Sequence, residues 1–191
     1  MTVCRNCGRE LNPGDRNCRD CGQVVFADPN LEAAVRKKLE KPEDPLTKEV
    51  IRELTELDAP VNELRSLRGL EFAVNLTKLW LDSNKVSDVS PLASLTNLTE
   101  LRLYRNQISD VSSLASLTNL TKLYIRNNQI SDVSSVALLT NLTRLNLGDN
   151  QISDFSSLAS LTNLEKLDGH PFNREDFISA EAQEPSEDPG G

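Results

Sequence analysis

The chain has 191 residues, enough for one or two modest domains, and its 29 acidic against 21 basic side chains leave a formal charge of −8. That balance repels nucleic acid on average, and a mean hydropathy of −0.41 with no apolar run near ~18 residues argues against a membrane-spanning helix. A single histidine, His170, removes most acid–base and nucleophilic mechanisms, so the composition does not read as that of an enzyme.

All four cysteines fall at the N-terminus, as Cys4-Arg5-Asn6-Cys7 and Cys18-Arg19-Asp20-Cys21, with ten residues between the pairs. Two such pairs supply four thiolates, which suits a closed tetrahedral zinc site; a single iron is the alternative that the spacing leaves open. Four protein ligands leave no open position for water, so the ion would be structural and not catalytic. Gly8 and Gly22 follow the two pairs and can take the positive φ that turns backbone N–H groups toward sulfur. Asn12-Pro13-Gly14-Asp15 reads as the tight turn between two short hairpins. The segment CRNCGRELNPGDRNCRDCG resembles the zinc-ribbon family, in which two such knuckles pinch a small β unit. A ribbon at residues 1–26 is too small to fold on its own apolar surface, so metal binding is expected to supply its folding free energy. Arg5, Arg9, Arg16 and Arg19 stand against Glu10, Asp15 and Asp20, which makes no basic stripe for nucleic acid. The opening MTVCRNCGRE lacks the apolar stretch of a secretory signal, and the expectation is a cytoplasmic chain.

Residues 27–53 change character. Asp28-Pro29 reads as a helix start, with Leu31, Ala34, Val35 and Leu39 at helical spacing and the stem of Lys38 beside them. Pro42 and Pro45 interrupt, and Thr47 can cap a second short helix carrying Val50, Ile51 and Leu54. The pattern predicts a helical cap over the open end of the unit that follows.

From Leu54 onward the sequence repeats every 22 residues around Asn62, Asn84, Asn106, Asn128 and Asn150. The pattern is L-x-x-L-x-L-x-x-N-x-[VIL]-x-x-[VLF]-x-x-[LV]-x-x-[LA], and all 35 apolar slots of five repeats carry apolar residues. With 38% apolar residues overall, chance does not produce that. This is the leucine-rich repeat. Its x-L-x-L-x stretch alternates as a half-buried strand, the Asn turns inward to pair with buried backbone groups, and the remainder suits a turn and a short 3₁₀ segment. The predicted fold is an α/β repeat solenoid over residues 54–170: a parallel sheet on the concave face, 3₁₀ turns on the convex face, five full repeats and a partial sixth through Leu164 and Leu167. Asn-Leu-Thr at Asn75, Asn97, Asn119 and Asn141 reads as repeat structure and not glycosylation, and Asp88, Asp110, Asp132 and Asp154 as turn caps and not a calcium site. SDVSSLASLTNLTKL strongly resembles the repeats of bacterial internalin-like proteins, and DPNLEAAVRKKL followed by LTKEVIRELTEL resembles the helical cap before them. That resemblance implies a fold and a mode of action, protein binding on the concave sheet. Internalins are exported, whereas this chain carries a ribbon ahead of the cap, so their surface and host-cell roles are not carried over.

The exposed strand positions form columns. One holds Asp58, Trp80, Arg102, Tyr124, Asn146 and Asp168; the next Pro60, Asp82, Tyr104, Arg126, Gly148 and His170; the one before Glu56, Lys78, Glu100, Lys122, Arg144 and Lys166. The lone Trp and both Tyr residues thus share a face with Arg102, Arg105, Arg126 and Arg144, the residue types most enriched in binding hot spots. Lys78, Arg102, Arg105, Lys122, Arg126 and Arg144 outnumber Asp82, Glu100 and Asp149 there, and the excess would steer an acidic protein segment to the face. Residues 171–191 carry six acids and one Arg and read as a disordered acidic tail. The sequence therefore predicts a non-catalytic adaptor with a structural zinc ribbon, protein-binding through Lys78, Trp80, Arg102, Tyr104, Arg105, Lys122, Tyr124, Arg126 and Arg144. The alternative is a nucleic-acid-associated ribbon protein whose repeats recruit other factors.

Overall fold

Strict alternation in each x-L-x-L-x stretch, recurring every 22 residues, puts one leucine per strand in line with the next. In the computed structural model, which describes residues 2–168 except 5, 13, 61 and 62, six strands follow in order: β3 (Glu56–Asp58), β4 (Lys78–Trp80), β5 (Glu100–Arg102), β6 (Lys122–Tyr124), β7 (Arg144–Asn146) and β8 (Lys166–Asp168). They form one parallel sheet, each pairing with the next at a register of one repeat, so that Leu57, Leu79, Leu101, Leu123, Leu145 and Leu167 stack as a column. The apolar slots behind them line a single continuous core, fully covered through the middle repeats and only half-covered at Ile152 and Phe155 near the C-terminal end.

After β4, β5, β6 and β7 the chain turns through a residue in the left-handed region, Ser83, Arg105, Asn127 and Asp149, none of them glycine. The turn is held by the Asn that follows. The Asn106 amide donates to the C=O groups of Leu81 and Leu103, at 3.0 and 3.1 Å, and its Oδ1 accepts from the N–H of Val86 at 3.0 Å. Asn84, Asn128 and Asn150 repeat the arrangement, so the ladder runs through the array. Asn62 lies outside the described residues.

On the convex side the 3₁₀ turns Ser90–Ser94, Ser112–Ser116 and Ser156–Ser160 each begin two residues after an aspartate that accepts the serine N–H at 2.8 Å. Asn75, Asn97, Asn119 and Asn141 donate their amides to the carbonyls of Arg52, Val74, Thr96 and Thr118, which makes them inter-repeat struts.

Two helices cover the first repeat: α1 (Pro29–Leu39) and α2 (Lys48–Ile51). Asp28 caps α1 by accepting from the N–H of Asn30, and its other oxygen accepts from the N–H of Arg65 at 2.7 Å, which ties the cap to the solenoid. Leu31, Val35, Leu46 and Ile51 join the repeat core, while Lys38 stays exposed. No helix among the described residues is long and apolar enough to cross a membrane. His170 and the acidic segment 171–191 lie outside the described residues.

Candidate functional site

Two places in the molecule gather chemistry-bearing side chains: the N-terminal knuckles and the concave sheet. The knuckles are built alike. In the first, the Cys4 N–H donates to the Arg9 C=O at 2.7 Å and the Gly8 N–H to the Cys4 C=O at 2.9 Å; in the second, Cys18 pairs with Gln23 at 2.7 Å and Gly22 with Cys18 at 2.9 Å. Gly8 and Gly22 hold φ values of +74° and +71°, which a side chain would strain. The short hairpin β1 (Thr2–Val3) and β2 (Glu10–Leu11) flanks the first knuckle, and the bridge from Asn17 to Val24 flanks the second.

This folding brings Cys4, Cys7, Cys18 and Cys21 together, with all four sulfurs within 4.8 Å of one another. The Cys4–Cys21 and Cys7–Cys18 pairs are each 3.5 Å apart. Four thiolates on a tetrahedral zinc ion, at ~2.3 Å each, stand about 3.8 Å apart, so the donor set and its spacing fit such an ion. Burial raises the Cys4 thiol above its ordinary range. At Cys7 the Arg9 N–H favours the thiolate, but the neighbouring sulfurs and burial outweigh it and push the thiol up to about 12. Cys21 goes the other way, to about 6, because Asn6 and the Gln23 N–H hydrogen-bond its thiolate.

The cysteine-bearing segment is not tethered loosely. Val24 donates its N–H to the Leu46 C=O at 2.8 Å, Gln23 Oε1 accepts from the Leu46 N–H at 2.9 Å, and Val24 is part of the solenoid core. Phe26 lies against Gly69, where an added Cβ would sit 2.6 Å from the ring.

On the concave face Trp80, Tyr104 and Tyr124 are half-buried, on or just beyond β4, β5 and β6. The basic side chains beside them are mostly engaged by neighbouring strands. Lys78 pairs with Glu56 at 2.6 Å, Arg102 with Asp82 at 2.7 Å, Lys122 with Glu100 at 3.4 Å and Arg126 with Asp149 at 2.7 Å. Glu100 also accepts from the Trp80 indole N–H at 3.0 Å, so one carboxylate orients both the ring and the Lys122 ammonium. Asp82 likewise accepts from the Tyr104 backbone N–H at 3.1 Å while holding Arg102. The hydrogen bond and charge of Lys78 depress the Glu56 carboxyl and raise Lys78 in turn; Arg126 is raised by Asp149 in the same manner. Arg105 stacks beside the Tyr104 ring, 5.1 Å from its centroid. Arg144 is exposed and, among the described residues, has no carboxylate within ion-pair distance.

The nine face residues read from the sequence therefore lie on one side of one sheet, but they are not equivalent. The sequence names Asp82, Glu100 and Asp149 as the acids of this face, but a count of charges does not say which side chain each one holds. The 22-residue register was the available signal, because it sets Glu100 between Lys78 and Lys122 and Asp82 one repeat from Tyr104.

A parallel sheet with one strand per 22 residues, an inward Asn ladder and convex 3₁₀ turns defines a leucine-rich repeat solenoid. Residues 96–138 match a family model described as leucine rich repeats in two copies, and residues 118–168 match a second leucine rich repeat model. No curated protein matches the sequence. Among solved structures, an internalin (inlF) from Listeria monocytogenes is 30% identical, covering 75% of this chain and 49% of its own, with a TM-score of 0.63. The chain thus spans about half the length of that internalin. A leucine-rich repeat protein of Leptospira interrogans is 24% identical over 56% of this chain and 28% of its own, with a TM-score of 0.52. The leucine-rich repeat ectodomain of the receptor kinase SOBIR1 from Arabidopsis thaliana is 23% identical over 59% of this chain and 67% of its own, with a TM-score of 0.51. The last two share the fold alone.

Proposed function

We propose that this chain is a non-catalytic protein-binding module that recognises a protein partner on its concave sheet, with a structural zinc ion held by Cys4, Cys7, Cys18 and Cys21. The observation that carries the reading is the clustering of Trp80, Tyr104 and Tyr124 on one half-buried face beside Arg102, Arg105 and Arg126. Concave surfaces of this kind are what repeat solenoids use to bind. Lateral ion pairs between half-exposed groups contribute only ~0–1 kcal/mol each, so a partner can displace them at little cost while they keep the side chains in place beforehand. The internalin likeness supports an interaction role. The thiol-rich ribbon fits a reducing compartment, and the reading puts the chain in the cytoplasm.

A nucleic-acid reading is weaker, since the chain carries a net charge of −8 and six cations on the face make a short track for a phosphate backbone. The test is affinity capture in moderate salt with the intact chain and with Trp80→Ala/Tyr104→Ala/Tyr124→Ala. Circular dichroism checks that the variant stays folded. Loss of specific proteins from the folded variant supports the reading; an unchanged set, or capture of nucleic acid alone, overturns it.

A further inference from the structure

We infer that the β6–β8 end of the concave sheet is the seat of an acidic peptide segment, with the Arg144 guanidinium as its carboxylate anchor. This rests on the protein-binding reading and names the chemistry of the partner.

The outermost column of the concave face begins as an orderly charge ladder. Glu56, Lys78, Glu100 and Lys122 lie on successive strands in direct register and alternate in sign, with Lys78 on Glu56 at 2.6 Å and Lys122 on Glu100 at 3.4 Å. The alternation then stops. Lys122, Arg144 and Lys166 stand in register on β6, β7 and β8. Strands in a sheet lie ~4.8 Å apart, and like charges directly opposite one another destabilise the pairing. Among the described residues, compensation comes only from the ends of the row: Lys122 has Glu100, and Lys166 has Asp168 at 3.2 Å.

Arg144, in the middle, has neither. The other concave positions of its repeat, Asn146 and Gly148, carry no acid, and the Asn146 side chain is occupied with the Gly148 N–H. Asp149 is taken by Arg126. A bare guanidinium therefore sits at the centre of a cationic row about 10 Å long, two strand spacings. A column that balances its first four strands and leaves Arg144 unbalanced between two lysines offers a seat to an anion.

The dimensions select a peptide. In an extended chain, side chains two residues apart share a face ~7 Å apart, between one and two strand spacings. A Glu-x-Glu run laid along the solenoid axis thus sets one carboxylate on Arg144, where the planar fork can take both oxygens, and the other within reach of the flexible stem of a flanking lysine. A nucleic acid fits less well. Three cations are a short track for a continuous phosphate backbone, the chain as a whole is −8, and the aromatic residues lie in other columns.

Fluorescence anisotropy with a labelled oligoglutamate peptide tests this on the full chain, beside an oligoglutamine peptide and an oligothymidylate. Oligoglutamate should bind, oligoglutamine should not, and Arg144→Gln should weaken binding by about tenfold or more. Lys85→Gln removes an equal charge, one already paired with Glu63, and should leave binding unchanged. Arg144→Glu should abolish binding and at the same time raise Tm by about 1–3 °C, because it restores the alternation. Equal weakening by the Arg144 and Lys85 variants, tighter binding of oligothymidylate, or a drop in Tm for Arg144→Glu would overturn the inference. If oligoglutamate fails to bind while the aromatic triple variant still loses its captured protein, this inference falls and the protein-binding reading stands. If capture is also unchanged, both fall.

Discussion

Asn106 shows how much of this fold depends on single side chains. Its amide and carbonyl together satisfy the C=O groups of Leu81 and Leu103 and the N–H of Val86, all in buried surroundings. Alanine at this position leaves the buried Val86 N–H without a partner, at a cost of about 1–3 kcal/mol, and takes one of two donors from each carbonyl, Asn84 and Asn128 supplying the other, at about 0.5–1.5 kcal/mol per lost bond. Urea unfolding of Asn106→Ala should therefore show a loss of about 2–5 kcal/mol. Asn150→Ala should cost clearly less, because Asn150 makes the same bonds at the half-exposed end of the array, where water can replace them. Equal losses at the two positions would mean that the ladder is not held together by burial. The Asn ladder was legible in the sequence because the repeat prints the same residue at the same place five times. The clasp of Phe26 on Gly69 was not legible, since a contact made once, between segments far apart in the chain, leaves no periodic trace. The lateral pairing of Arg102 with Asp82 stood between: register and charge implied it, and only the side-chain geometry showed which cations were left over.

At the scale of the element, the convex 3₁₀ turns owe their starts to aspartate. Asp110, Asp132 and Asp154 each accept a backbone N–H from the serine two residues on, and that bond holds the carboxyls below their ordinary value of 3.8. A carboxyl depressed in the folded state stabilises the fold above its unfolded pKa and loses that contribution as pH falls through the folded value. Glu56 and Glu63, lowered from 4.5 chiefly by hydrogen bonds from Lys78 and Lys85, act in the same sense slightly earlier. The urea midpoint should be flat between about pH 7 and about pH 5 and fall below it, steepening under 3.8. Asp110→Asn/Asp132→Asn/Asp154→Asn should start lower and show a shallower acid limb; an unchanged limb would remove the turns from the explanation. The same convex surface contains one departure from the repeat. Ser94, Ser116 and Ser160 donate to carbonyls of the preceding repeat, whereas the equivalent position 138 is a leucine that is 60% exposed. Nothing in the structure explains that leucine.

At the scale of the molecule, the solenoid has neighbours in one dimension only, so its stability is a sum of repeats and of the interfaces between them. The two ends are finished differently. The N-terminal end is closed by α1, α2 and the cysteine-bearing segment, with Leu31, Ile51 and Val24 fully buried against the first repeat. At the other end Leu158, Leu161 and Leu164 are less covered than their counterparts in the middle, and Leu167 of β8 is only half-buried. Opening should therefore start at β8 and travel inward, while β5 and β6 are reached last. Native-state hydrogen exchange of the zinc-loaded protein should show the slowest amides at Leu103 and Ile125, whose N–H groups bond across to Tyr124 and Asn146, and the fastest among the strands on β8. The proposed zinc adds a second, separable expectation. Four thiolates leave the metal free energy concentrated in a unit too small to hold itself together, so chelation, or Cys4→Ser/Cys7→Ser, should release the knuckles. The amides of Gly8 and Gly22 should then exchange freely while those of β5 and β6 keep their protection, because the bonds that hold the central strands run between repeats and not to the ribbon. Uniform loss of protection on chelation would mean that the ribbon nucleates the whole array. Protection of Gly8 and Gly22 unaffected by metal would show that the cap alone, through Val24 and Gln23, holds the cysteines in place.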